Sequence, residues 1–330
     1  MSKIHDLLDE VRAKVAPSDT TLREAREHRD LVLASAATFV GAQRTYRSGS
    51  IAHGNANDDT DADGGVVLDR RVWTELGPDG DGEGPGEVVE QVRRKVRSNL
   101  NDDGWDVSTR LTKRAIAVRF PDGPSVDLIV GLTRKDAKGI WIPNLKARRW
   151  DPSHPERHTE LLTDDPKSLR VTRARAIRLT KAWNKQPSKP GLCSFNIEAL
   201  ALAAVESGKG LPEALHAIAD HGATDLAKRL TPDPAGVSPP IKLLIDRDLV
   251  VSRLTALASS LAKALDTDDD DEVQDQLAAA FPQYIDPADG RSQASIAASL
   301  RSGNDRVRYT PAGLSAVAGS HLKTTRSFGG

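Results

Sequence analysis

The chain reads as an α+β protein: a mixed, mainly antiparallel sheet with helices, then a C-terminal helical lobe, with a cleft between the two. Three observations predict this. Apolar residues repeat at helical spacing near the start, break into short runs between residues 105 and 131, and return to helical spacing after about residue 155. The order of helices, then strands, then helices suits a strand-containing lobe packed beside an all-helical one, with a site where the lobes meet. Acids also sit inside or against apolar runs at two distant places, Asp61 and Asp63 before Val66–Val67–Leu68, and Asp127 within PSVDLIVGL.

The elements follow in order. Residues 2–15 and 20–40 carry apolar side chains at spacings of three and four, and Thr20 or Thr21 is the expected cap of the second helix. Residues 44–48 form a short strand into a Gly49–Ser50 turn, and residues 64–69 continue the strand that follows the acids. PDGDGEGPGE at 78–87 has no apolar pattern and reads as a loop. Val88, Val89, Val92, Val96 and Leu100 predict a helix over 86–101. Strands follow at 105–111, 115–120 and 125–131, the last two separated by the turn sequence PDG at 121–123, and a further short strand is expected at 139–142. Helices are then predicted at 166–186, 193–207, 211–221, 239–265 and 271–281, punctuated by Gly and Pro. The acidic run DTDDDDE at 266–272 reads as a solvated loop and helix start. There is no internal repeat.

Composition narrows the function. Of 330 residues, 38% are hydrophobic and 28% charged, an ordinary balance for a folded domain. The formal net charge is −1, which argues against strong nucleic-acid binding. Arg93, Arg94, Lys95 and Arg97, and the pair Arg148–Arg149, are local basic clusters of the kind that solvated faces carry. The single cysteine, Cys193, excludes an intramolecular disulfide and a cysteine-based zinc site. MSKIHDLLDEV reads as an amphipathic helix, and no run approaches the ~20 apolar residues of a membrane span, so a cytoplasmic protein is expected.

The acids carry the chemistry. Side chains alternate along a strand, so Asp61 and Asp63 point the same way. Two carboxylates on one face repel, which is tolerable where hard dications with oxygen ligands fill the site. With Asp127 on a neighbouring strand, three carboxylates suit two Mg²⁺ (or Mn²⁺) ions roughly 3.5–4 Å apart, the arrangement for in-line displacement at phosphorus. Gly49 permits a tight turn, and backbone N–H groups there, with the Ser50 hydroxyl, suit phosphate oxygens.

The pattern Gly49–Ser50, then Asp61-x-Asp63, then Asp127 in an apolar strand resembles the polymerase-β-like nucleotidyltransferases. Residues 17–40, the helix IRLTKAWNK at 177–185 and SFNIEALAL at 194–202 resemble elements of the bacterial cGAS/DncV-like nucleotidyltransferases, the CD-NTases. The resemblance spans about residues 15–205. It implies a polymerase-β-like core over 1–155 including the N-terminal helices and a helical lobe over 156–318 completing the nucleotide site; PAGLSAVAGS has little helical strength, so a flexible tail is expected over 319–330. It further implies that Asp61, Asp63 and Asp127 are catalytic and metal-holding, that Lys181 and Ser194 join Gly49 and Ser50 on the triphosphate, and that Phe195 stands where similar enzymes often place a base-stacking tyrosine. Asn196 is an expected reader of a base edge, because its amide offers both donor and acceptor. Glu198, in an apolar helix, is expected to position Lys181 or an arginine. The chain departs from the resemblance at His53–Gly54–Asn55, where relatives often carry Arg-Gly-Thr.

The activity implied is synthesis of a cyclic di- or trinucleotide from ATP and a second, unnamed nucleoside triphosphate, in anti-phage signalling through a separate effector. The alternative is a template-independent polymerase acting on tRNA or other RNA, of CCA-adding or oligoadenylate type, for which the acidic set would be the same. The terminal Gly329–Gly330 resembles the end of ubiquitin-like modifiers and offers Gly330 to an E1/E2-like conjugating partner.

Overall fold

A computed structural model describes residues 2–288 except Thr60 and Ala137. The tail over 319–330 and the Gly330 conjugation site lie outside the described residues.

Two helices open the chain, α1 (Lys3–Val15) and α2 (Asp19–Ala37). Ser18, not Thr20 or Thr21, caps α2, its hydroxyl accepting from the Thr21 N–H at 3.0 Å. Strand β1 (Ala42–Ser48) runs into a single turn of helix, α3 (Gly49–Ala52), and returns as β2 (Ala62–Leu68). Helix α4 (Gly86–Asp102) then leads to β3 (Ser108–Leu111), β4 (Ile116–Arg119) and β5 (Val126–Thr133). The expected strand at 139–142 is one arm of a pair, β6 (Ile140–Asn144) and β7 (Arg149–Ser153).

The sheet has seven strands, ordered β1-β2-β5-β4-β3, with β6 and β7 attached through β5. β2 and β5 are parallel and every other pairing is antiparallel. β5 changes partner along its length, pairing β4 from Val126 to Leu128 and β6 at Leu132 and Thr133.

Strand alternation decides what each face of the sheet does. Ala62, Val66 and Leu68 of β2, with Val126, Leu128, Val130 and Leu132 of β5, bury themselves against α2 and α4 in one core. Asp63 and Asp127 therefore lie on the opposite face, the side where Val67 and Ile129 join a smaller cluster with Tyr46 and Ile140.

The helical lobe follows. Helix α5 (Pro155–Thr163), with Pro at its first turn, packs on β1 and was not expected from the sequence. Then come α6 (Lys167–Lys185), α7 (Ser194–Ala204), α8 (Leu211–Leu226), α9 (Arg247–Asp266) and α10 (Asp270–Ala280). The helix expected over 239–265 begins eight residues late because Pro239 and Pro240 cannot join a helix interior, and Asp246 caps the observed start. The acidic run is loop and helix start, Asp269 capping α10.

One domain assignment is corrected. Ile4, Leu7, Leu8 and Val11 of α1 share a core with α6, α8 and α10. The first helix belongs to the helical lobe, not to the sheet lobe of 1–155. Its apolar face completes that lobe, so the chain starts in one lobe, builds the other, and returns. Among the described residues, no helix is long and apolar enough to cross a membrane.

Candidate active site

A cleft of about 460 Å³ lies between the sheet and α5, α6 and α7. Asp61, Asp63 and Asp127 line one wall, and Lys181, Ser194 and Phe195 the other, with Gly49 and Ser50 also in the lining.

On the sheet wall, Asp63 and Asp127 are register partners across the parallel β2–β5 pair. Adjacent strands lie about 4.8 Å apart, so these carboxylates leave the same face side by side. Asp61 precedes β2 by one residue, keeps the same parity, and reaches the cleft with its Oδ1 accepting from Ser125 Oγ at 2.6 Å. Burial pushes Asp63 up to about 7, and Asp127 and Asp61 add to this by repulsion. Asp127 is also raised, by burial and then by Asp61, with Arg110 opposing. Among the described residues, no group of three or more His, Cys, Asp or Glu side chains stands close enough together to hold a metal ion as placed. The donor set itself, three carboxylates on one wall of a cleft, fits hard dications.

Gly49 stands against this wall with φ +72°, and a Cβ there would strike the Asp63 carboxylate. Only glycine allows the turn both that backbone and that approach.

The helical wall is finished differently. Lys181, one turn before the end of α6 and 4% exposed, donates to Asn55 Oδ1 at 2.8 Å and to Glu198 Oε1 at 3.2 Å. Glu198 Oε2 lies 3.3 Å from His53 Nδ1, and His53 Nε2 meets Thr159 Oγ1 at 3.1 Å. Glu198 thus ties the lysine to the residue at which the chain departs from Arg-Gly-Thr. Burial works to raise Glu198, but Lys181 and His53 outweigh it and hold the carboxylate ionised, below its usual range. Burial lowers Lys181 while Glu198 resists.

Helix α7 opens on the cleft. Ser194 and Phe195 stand in its first turn, where free backbone N–H groups and the helix dipole favour an anion. Asn196 does not reach the cleft, which corrects its assignment as a base reader. Its side chain is fully buried, accepting from Cys193 Sγ at 3.0 Å and donating to Thr231 Oγ1 at 3.4 Å. Two residues along a helix turn the side chain by about 200°, so Asn196 faces away from Ser194 while Glu198 returns to its side.

Among the cleft residues not anticipated are Lys185, Asp59 and His158. Lys185 is one turn beyond Lys181 and pairs with both oxygens of Asp59 at 2.5 and 2.7 Å. Its i,i+4 spacing from Lys181 was the available signal. His158, on α5, packs against Phe195 with ring centroids 4.5 Å apart.

No family model matches the chain, and no curated protein does either. Solved structures do. The Escherichia coli MS115-1 CdnC structure with ATP is 16% identical, with a TM-score of 0.68 over 86% of this chain and 98% of that one. The Bradyrhizobium diazoefficiens CD-NTase CdnG in complex with GTP is 16% identical, with a TM-score of 0.62 over 85% and 96%. Vibrio cholerae DncV cyclic AMP-GMP synthase, with the linear intermediate 5′ pppA(3′,5′)pG, is 14% identical, with a TM-score of 0.54 over 86% and 87%. The chain has the CD-NTase fold, as its sequence motifs implied.

Proposed function

We propose that this chain is a nucleotidyltransferase that uses Mg²⁺, or Mn²⁺ in its place, to join ribonucleoside triphosphates into a cyclic di- or trinucleotide with release of pyrophosphate. The observation that carries the reading is the parallel register of Asp63 and Asp127, with Asp61 beside them, facing a lysine and a helix N-terminus across one cleft. Three structures of the same fold support it, solved with ATP, with GTP and with a linear dinucleotide intermediate.

Two bound magnesium ions would supply a more acidic attacking hydroxyl and neutralise charge on the triphosphate. Asp61, Asp63 and Asp127 would hold them, Asp127 also standing ready to accept the proton of the attacking 3′-hydroxyl. Ser50, the Ser194 hydroxyl and the first N–H groups of α7 receive phosphate oxygens. Gly49 keeps the turn close to Asp63. Lys181 supplies a fixed positive charge whose position Glu198 and Asn55 set in advance, so little reorganisation is needed. Phe195 offers a π-face to a base, worth ~1–3 kcal/mol for such platforms. Positioning and fixed charge do most of the work in reactions of this class. We place the product in anti-phage signalling, where it would activate a separate effector.

The test is incubation of the purified protein with labelled ATP, GTP, CTP and UTP, singly and mixed, with Mg²⁺ or Mn²⁺, beside Asp61→Ala/Asp63→Ala. The expected result is a small phosphatase-resistant product that the double variant does not make. Extension of added cellular RNA, with no small product, would replace this reading with the RNA polymerase one.

A further inference from the structure

His158, on α5, lines the cleft. Its Nε2 lies 2.7 Å from Asp233 Oδ1, on the connection between α8 and α9. Asp233 is saturated with donors: Oδ1 also accepts from the Ala235 N–H at 3.0 Å, and Oδ2 from the Val237 and Ser238 N–H groups at 3.0 and 2.7 Å. Burial works to raise Asp233, but these donors hold it below its usual range, so it is an acceptor only. An acceptor at Nε2 places the ring proton there. Burial lowers His158, so the ring is neutral near pH 7, and a neutral imidazole protonated at Nε2 presents a lone pair at Nδ1.

That lone pair sits on a ring packed against Phe195 and lining the cleft. No described residue donates to it. The ring is held between Asp233 on one side and Phe195 on the other. His158 therefore belongs beside the base platform.

We infer that His158 is a base-reading residue, whose Nδ1 accepts a hydrogen bond from the exocyclic amino group of a base stacked on Phe195. The amino group meant is N6 of adenine or N4 of cytosine, where guanine carries O6 and uracil O4, so one acceptor fixed at that ring position divides the four bases into two pairs, the guanine N2 amino group lying elsewhere on its ring. A carbonyl there would face a lone pair and lose its own hydrogen bond with water. Asp233 is the positioning residue, since it fixes which ring nitrogen is the acceptor. The inference rests on the nucleotidyltransferase reading and names part of its substrate class.

The experiment is calorimetric titration of the full chain, with Mg²⁺, by the non-reacting α,β-methylene analogues of ATP, CTP, GTP and UTP, and by the N6,N6-dimethyl form of the ATP analogue. The expected result is that the adenine and cytosine analogues bind roughly fivefold to tenfold tighter than the other two, as one hydrogen bond allows. The dimethyl analogue should lose that advantage. His158→Phe, which keeps packing against Phe195, should bind all four within about twofold of one another. Equal binding of the four by the wild type, undiminished binding of the dimethyl analogue, or a base preference that survives His158→Phe would overturn the inference while leaving the enzyme reading intact. The dimethyl arm needs no variant, so it decides even if His158→Phe does not fold. Failure of the wild type to bind any analogue would remove the enzyme reading itself, and the inference with it.

Discussion

The two walls of the cleft are charged in opposite ways and completed to different degrees. On the helical wall every charge has its partner: Lys181 meets Glu198 and Asn55, and Glu198 also meets His53. On the sheet wall three acids face the cleft, and the two on β2 and β5 are raised by burial and mutual repulsion. One wall is finished by the protein and the other is left to be finished by what binds. The same kind of substitution should therefore act in opposite directions on the two walls. Removing a charge from the sheet wall should abolish activity and stabilise the fold, whereas removing one from the helical wall should damage both.

The largest effect is expected at Asp63. Asp63→Asn should reduce nucleotide joining by about a thousandfold or more, since both charge compensation and ligand geometry are lost. It should nevertheless raise the melting temperature in metal-free buffer. The sign follows from linkage: a carboxyl raised to about 7 in the fold, against its ordinary 3.8, favours the folded state when protonated. The Asp63 contribution, read as wild type minus variant in chelator, should then shift in favour of the wild type as pH falls from about 7 towards 4, by up to a few kcal/mol. Adding Mg²⁺ at pH 7 should stabilise the wild type and not the variant. A variant that melts below the wild type in chelator would erase the contrast between the walls.

Next in size is the buried pair on the other wall. Lys181→Met leaves the Glu198 carboxylate facing only His53, and Glu198→Leu leaves a buried ammonium with Asn55 alone. Each should cost about 3–5 kcal/mol in chemical denaturation, the usual consequence of orphaning a buried ion. The double variant should recover much of that stability without recovering activity, because a nonpolar pair can replace the ions in the core but not on a triphosphate. Additive losses in the double variant would mean that the two side chains do not act as a pair. Gly49→Ala ranks after these. Its φ of +72° and the collision with Asp63 predict a loss of about 1–2 kcal/mol in stability, and of at least tenfold in activity because Asp63 must shift.

The sheet wall was more legible in the sequence than the helical wall, for a physical reason. A strand has period two, so an acid inside an apolar run declares its face without knowledge of its neighbours, and Asp63 and Asp127 could be read that way. Helix phase is harder to see. Asn196 was read by its chemistry, although a 100° step per residue already turned it away from Ser194. The helix expected over 211–221 ends before Gly222, yet α8 runs through that glycine to Leu226. The missing side chain lets α8 lie close to α7 and α9, where a Cβ would come within 3.1 Å of Leu200 and Leu254. His158 gave no signal at all, because its importance depends on Asp233, 75 residues away. The placement of α1 was hidden for the same reason: an amphipathic stripe says that a face is buried, not against what.

The smallest effect should come from an exposed ion pair that joins the two walls. Lys185 on α6 reaches Asp59, on the loop that leads to Asp61, and both side chains are nearly half exposed, at 44% and 49%. At that exposure water screens the charges, and the pair should contribute no more than about 1 kcal/mol. Asp59→Asn should shift the denaturation midpoint by an amount near the error of the measurement. Activity is the sharper probe. Lys185 lines the cleft on the side of Lys181, and without Asp59 its charge is free to meet a phosphate. Asp59→Asn should therefore lower KM for the nucleotide by a few-fold, and Lys185→Met should raise it by about as much, with kcat little changed in both, since uniform binding moves KM alone. If instead Asp59→Asn slows kcat, the loop before Asp61 depends on this pair for its position, and the sheet wall is not built by the sheet alone.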